Sequence, residues 1–365
     1  MKIECSAEKL KNALSQAERI TGKNLSLPIL SSILFEVSGK SLKLRATNLS
    51  LGIEVEIPGK VASQGTVAVR GDILNNIFSN IDPNSTVTLE TANDNLIVET
   101  KHNKLLIKSY PHDDFPSLPS ASGTEFSIEA GKLIDGLKSV YYSAAVSDIK
   151  QEIASVYIYG ETDQLLFVAT DSFRLAEKKI KIKKVPEFEG LLIPFKNINE
   201  IIRTFSGYGG ELKIIFNKNQ ISFFSESIYL TSRIIDGVFP DYKQILPKEF
   251  KTEVIVLRDD LLGALKMGTI FSDKFNQITL SVKPKEKSVT LYSKNADVGE
   301  NTTALEASVT GAGIEVNINQ RYLLDCFQSI ASDSIILSFN EPTRPLVVRG
   351  VSDQSFLYLI MPMNR

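Results

Sequence analysis

Apolar and polar residues alternate from Met1 to Ser6 and then give way, over Ala7-Glu8-Lys9-Leu10-Lys11-Asn12-Ala13-Leu14, to leucines four apart. Alternation is the spacing of a strand, and apolar residues at i and i+4 share one helix face. The same change of period recurs twice. Ala130-Gly131-Lys132-Leu133-Ile134-Asp135-Gly136-Leu137 follows Glu125-Phe126-Ser127-Ile128, and Arg258-Asp259-Asp260-Leu261-Leu262-Gly263-Ala264-Leu265 follows Val254-Ile255-Val256-Leu257. A small residue (Ala13, Gly136 or Ala264) stands just before the second leucine each time, which predicts a helix seated close against a sheet.

The segments that follow repeat as well. Strand-like runs at Ser32–Val37, Ser155–Tyr159 and Ile278–Val282 are each succeeded by a second run, at Ser41–Asn48, Leu165–Asp171 and Val289–Asn295. Turn residues such as Ser38-Gly39-Lys40 separate the arms, so each pair reads as a hairpin. A second helix is expected at Asp72–Phe78, Ile198–Arg203 and Arg321–Phe327, and alternating strands follow each. A repeat this long is a domain and not a solenoid unit. The chain therefore reads as α+β, with three similar domains over 1–120, 125–243 and 244–365. Pro111–Gly123, and Phe239–Lys251 with its two prolines, read as linkers.

Composition narrows the reading. The chain has 365 residues, 43% hydrophobic and 23% charged, which suits several globular domains. The net charge of −2 gives no bulk attraction for nucleic acid, so DNA binding would need basic residues gathered on one face. No apolar run reaches the ~20 residues of a membrane span, and Met1–Ser6 has no signal core; a cytoplasmic protein is expected. Cys5 and Cys326 have no metal-ligand neighbours and are expected as small core residues.

Val168-Ala169-Thr170-Asp171-Ser172-Phe173-Arg174-Leu175-Ala176 resembles the signature of the bacterial DNA polymerase III beta-subunit family. Tyr358-Leu359-Ile360-Met361-Pro362-Met363, Leu27-Pro28-Ile29-Leu30 and Phe239-Pro240-Asp241-Tyr242 also resemble that family, over the whole chain. The resemblance implies a DNA sliding clamp: a head-to-tail homodimer ring of six similar domains, helices lining the hole, sheets outside. It implies a processivity factor without catalysis or cofactor, tethering the replicative polymerase, the clamp loader and repair proteins.

The resemblance also implies two sites. Thr170, Ser172, Phe173, Arg174 and Leu175 would wall a cleft for a short, partly apolar partner peptide, with Pro240 and Ile245 from the linker. Leu359, Ile360, Met361, Pro362 and Met363 would complete it, helped by Ile153, Phe275, Asn319, Tyr322 and Pro345. Plain core is the competing reading of Leu175 and Ile360. Ser172 stands where the family has a glycine-like residue, Phe173 where it has histidine, and Gln244 where a basic residue is common. Asn364-Arg365 ends the chain where the family has a basic–apolar pair.

For DNA phosphates, expected helices and loops offer Lys9, Lys11, Arg19, Arg70, Lys132, Lys138, Lys150, Lys196, Arg203 and Lys266. Lys23 would substitute for the family's arginine, absent at Asn24. A solvated face is the alternative for each. Leu105 and Ile107, with Ile270 and Phe271, would join two copies; domain core is the other reading.

Enzymatic motifs are wanting. His102 and His112 have no nucleophile context, and Gly39-Lys40-Ser41 lacks the leading glycine of a phosphate loop. Asp113-Asp114 reads as a solvated linker pair. Asp171 follows a strand, as a carboxylate hydrolase would require, but Asn48 and Asn295 occupy the equivalent points, so an Asx turn is the simpler role. The remaining rival is a repetitive protein-binding scaffold that encircles no DNA.

Overall fold

The structure is a computed structural model that describes residues 1–22, 26–147 and 149–363. Its helices among these residues are α1 (Ala7–Ile20), α2 (Gly71–Ser79), α3 (Ala130–Val140), α4 (Phe195–Phe205), α5 (Arg258–Ile270) and α6 (Gln320–Asp325), the last extended by a 3-10 turn over Cys326–Ser329. Ser6 caps α1 by accepting the Lys9 amide, and Leu10, Ala13, Leu14, Ala17 and Ile20 form its buried stripe. Truncating a leucine of that stripe costs about 2–5 kcal/mol. The small residue before the second leucine does what its position predicts: a Cβ on Gly136 would lie 2.3 Å from the Phe167 ring.

The three hairpins form where expected, over Ser32–Ser38 with Ser41–Thr47, Ser155–Glu161 with Gln164–Thr170, and Gln277–Lys283 with Ser288–Asn295. All strand pairs are antiparallel. Helix α4 begins at Phe195, three residues before the apolar periodicity starts at Ile198, so Pro194 precedes it at a position that tolerates proline.

Packing does not follow repeat order. One compact unit joins Met1–Gly131 to Asn199–Ile234, and the other joins Lys132–Ile198 to Ile235–Arg365. The reason lies in the sheets. In the first unit a nine-stranded sheet runs from the hairpin strands of repeat 1, through Leu51–Pro58 paired with Ile228–Arg233, into the later strands of repeat 2. In the second unit Arg174–Lys181 pairs with Phe356–Ile360 in the same way, joining the hairpin half of repeat 2 to the later half of repeat 3. Each junction thus binds half of one repeat to half of the next.

Two half-sheets remain. In the first unit the sheet Lys60–Ser63, Lys2–Ser6, Thr86–Ala92, Asn95–Glu99 ends at Lys104–Ile107, the counterpart of Ile228–Arg233 and Phe356–Ile360. In the second unit the sheet Ile314–Asn319, Gln277–Lys283, Ser288–Asn295 ends at Gly299–Glu306, the counterpart of Leu51–Pro58 and Arg174–Lys181. Neither end strand has a further strand beside it among the described residues.

Candidate partner cleft and basic surface

A turn that occurs once per repeat positions the signature residues. After each second hairpin strand an Asx side chain accepts two backbone amides: Asn48 from Ser50 and Leu51, Asp171 from Phe173 and Arg174, Asn295 from Asp297 and Val298. The Asx role expected for Asp171 therefore holds. In the first two repeats a threonine locks the loop further: the Thr47 hydroxyl donates to the Leu51 carbonyl, and the Thr170 hydroxyl to the Arg174 carbonyl at 2.6 Å. The residue after the Asx turns left-handed, Leu49 at φ 73° and Ser172 at φ 78°. That geometry explains why a glycine-like residue suits position 172. It also turns Phe173 outward, 61% exposed.

Arg174 is the polar centre of the second-unit site. Its Nε donates to Asp171 at 2.9 Å, its Nη1 to Asp325, and its guanidinium lies 4.5 Å over the Tyr322 ring. Burial pulls its pKa down, but Tyr358, Asp325 and Asp171 outweigh burial and hold it above the ordinary arginine value. The tail closes over this centre. Met361 donates its amide to the Phe173 carbonyl and Met363 donates to the Asn317 carbonyl, both at 2.8 Å. Asn319 caps α6 through the Arg321 amide and reaches the Phe275 carbonyl at 3.4 Å. A groove of about 670 Å³ opens beside Met363, between Asn317, Glu315, Lys251 and Thr343.

The expected cleft residues therefore divide. Phe173, Ser172, Pro240, Ile245 and Phe275 are exposed, and Arg174, Asn319, Tyr322, Met361, Pro362 and Met363 are partly so. Leu175, Leu359 and Ile360 are buried at 0–1% exposure, and Ile153, Thr170 and Pro345 are buried too. These six are floor and core, which for Leu175 and Ile360 is the competing reading given above and for Thr170 differs from its expected place in a wall. The reason is sheet pairing: Arg174 pairs with Ile360 and Leu175 with Leu359 at the junction, and the outer side of Leu175 and Leu359 is covered by Phe239 and Tyr242. The sequence reading missed Asp325 and Asn317. The available signal for Asp325 was its place three residues after Tyr322, on the same helix face.

The first-unit junction repeats the geometry without the chemistry. Its Arg233 amide donates to the Ser50 carbonyl at 2.8 Å, as Met361 does to Phe173. There Leu51 and Gly52 take the places of Arg174 and Leu175, and Ser232 and Thr231 those of Ile360 and Leu359. Exposed Phe173 has Ser50 as its counterpart. The apolar rim belongs to one junction.

The expected phosphate contacts also divide. Lys9, Lys132, Lys138, Lys150, Lys196 and Lys266 are exposed, and Lys11 is half-buried. Arg19 and Arg203 both pair with Glu200, and Arg70 pairs with Asp72, so these charges are already answered within the chain. Asp72, Ile73 and Asn76 are the exposed residues of α2's first turns, leaving that helix without a cation. Lys23 and Asn24 lie outside the described residues, as do Asn364 and Arg365.

Of the residues expected to join two copies, Ile270 is 61% exposed and Leu105 and Phe271 are half-buried, whereas Ile107 is buried at 6%. Ile107 points into the core because strand residues alternate faces; Leu106, at 59% exposure, is the outward apolar residue the sequence reading passed over.

Comparison with known proteins agrees with this architecture. Family models for the DNA polymerase III beta subunit match in chain order: the N-terminal domain at 1–119, the central domain at 127–241 and the C-terminal domain at 243–364. The beta sliding clamp of Synechococcus elongatus is 29% identical, covering 100% of this chain and 99% of its own, and that of Escherichia coli is 25% identical with full coverage of both. A Pseudomonas aeruginosa DNA polymerase III subunit beta structure superposes with a TM-score of 0.95 at 23% identity over both full chains. A Bartonella birtlesii sliding clamp solved bound to griselimycin gives 0.94 at 26% identity, again over both full chains. The chain belongs to the DNA polymerase III beta subunit family, the non-catalytic DNA sliding clamps.

Proposed function

We propose that two copies of the chain close head to tail into a ring around duplex DNA. The observation that carries this reading is the pair of unmatched end strands. Lys104–Ile107 is the counterpart of strands that cross a junction, and Gly299–Glu306 is the counterpart of the strands they meet. Two further junctions of the same antiparallel kind, each made by Lys104–Ile107 of one copy with Gly299–Glu306 of the other, pair both of these end strands and close the assembly. Leu106 and Leu105 from one copy and Ile270 and Phe271 from the other supply apolar surface beside that pairing. The domains of the ring are 1–120, 125–243 and 244–365.

The ring holds DNA by exposed lysines on α1, α3, α4 and α5 acting on phosphates, without reading bases, and works in the cytoplasm. The net charge of −2 leaves the remaining surface unattractive to nucleic acid, so contact stays weak and salt-sensitive. The rim of Phe173, Ile245, Phe275, Met361 and Met363 takes short apolar segments of the replicative polymerase, the clamp loader and repair proteins in turn, and griselimycin at the same place. Thioether and aromatic side chains adapt to many partners. Native mass spectrometry tests the assembly: twice the 40.4 kDa chain mass at micromolar concentration supports it, and a monomer there removes it. A scaffold that binds proteins without DNA is the second reading, favoured by the carboxylate partners of Arg19, Arg70 and Arg203.

A further inference from the structure

We propose that Tyr242 and Glu177 form a pin that makes the linker a fixed wall of the partner cleft, so that partner affinity depends on a hydrogen bond no partner touches. The proposal rests on the cleft reading above. Glu177 lies on the strand Arg174–Lys181, 4% exposed, beside a cluster of Leu166, Val168, Leu175 and Leu359. The Tyr242 hydroxyl donates to Glu177 Oε2, the Tyr159 hydroxyl lies 2.9 Å from that of Tyr242, and Lys179 meets the other carboxylate oxygen at 3.2 Å.

A buried carboxylate gives up its hydration, and an apolar residue there would often be as stable. What the carboxylate supplies is register: one placement of the Tyr242 ring satisfies it. Both exposed linker residues of the cleft are tied to Tyr242 through the backbone. Tyr242 donates its own amide to the Pro240 carbonyl, and Ile245 ends the 3-10 turn that Tyr242 begins. Phe239 is fastened at the same time, stacked on Tyr157 at 4.8 Å and 3°.

The first-unit junction supplies an internal control. Glu54, the counterpart of Glu177 by strand pairing, is answered by Lys43 at 2.9 Å and by Arg45, both from the neighbouring strand. Leu118, which stands in Phe115-Pro116-Ser117-Leu118 as Tyr242 stands in Phe239-Pro240-Asp241-Tyr242, has no hydroxyl and packs over Gly52. The junction without an apolar rim is the one without the pin.

Tyr242→Phe keeps the ring and removes the hydroxyl. Amide hydrogen exchange over 239–247 in the full chain should then accelerate, while the strand Gln164–Thr170 stays protected. Griselimycin affinity by calorimetry should fall roughly five- to tenfold, because only part of the lost hydrogen bond to a charged group is felt at a site that it does not touch. Glu177→Gln keeps an acceptor and should hold affinity within about twofold. If Tyr242→Phe misfolds, the Tyr242→Phe/Glu177→Leu double variant removes both polar partners and should fold with the same loosened linker. Unchanged exchange over 239–247 overturns the pin. Accelerated exchange with full affinity overturns its role in binding. A wild-type chain that binds no griselimycin overturns the cleft reading instead, and the exchange result still decides the pin.

Discussion

The Met361 amide donates to the Phe173 carbonyl at 2.8 Å, which fastens the C-terminal tail to the left-handed turn that holds the Phe173 ring in solvent. Tail and turn therefore form one surface. A chain ending at Ile360 should lose more than tenfold in griselimycin affinity while its oligomeric state is unchanged, because the junction strands Arg174–Lys181 and Phe356–Ile360 stay intact. Calorimetry checks this, and full affinity in the shortened chain would contradict it.

Arg174→Ala leaves Asp171 and Asp325 facing each other without their cation and uncovers the Tyr322 ring. Loss of a mostly buried pair member costs about 3 kcal/mol, reduced here to about 2 because Asp325 is half exposed. Arg174→Lys should recover less than half of that, since an ammonium cannot bridge two carboxylates and stack on a ring together. Urea unfolding of the three proteins measures the order; equal stability of the lysine variant and the wild type would refute the bridging account.

Ser172 adopts φ 78° with its side chain exposed. A left-handed non-glycine residue costs about 1–2 kcal/mol, and glycine gives back about 0.5–1 through backbone entropy. Ser172→Gly should accordingly stabilise the chain by about 0.5 kcal/mol, a small rise in Tm. A fall in Tm would show that the serine is unstrained.

Burial, helped by Glu4, pushes the Cys5 thiol up to about 12, and burial pushes Cys326 higher still. The folded chain holds both as neutral thiols. That contribution to stability is complete below the ordinary thiol pKa of about 9 and is lost as pH rises towards 12. Iodoacetamide at pH 8 should modify neither cysteine in the native chain and both after denaturation. Rapid native labelling of either, read by mass spectrometry, would place that thiol at the surface.

Much of the fold was legible because period-2 and i, i+4 spacings report faces directly. The three small-before-leucine helices and the three hairpins needed no tertiary information. What local pattern could not carry was pairing across repeats. Leu175 reads equally as cleft wall or as core in sequence because it follows a polar turn; it is floor because Arg174–Lys181 pairs with a strand nearly two hundred residues away. Ile107 and Leu106 differ only in strand phase, which a four-residue strand leaves undefined until its neighbours fix it. Arg19 reads as a free helix cation until Glu200, far along the chain, is seen beside it.

Encirclement is the central claim, and retention on DNA of defined topology tests it most directly. The chain should be loaded on nicked circular and on linear duplexes by the family's clamp loader, then challenged with rising salt. Retention on circles that survives salt, with rapid loss from linear ends, is the predicted result, because a closed ring held by topology needs few phosphate contacts. Equal retention on circles and lines would contradict it.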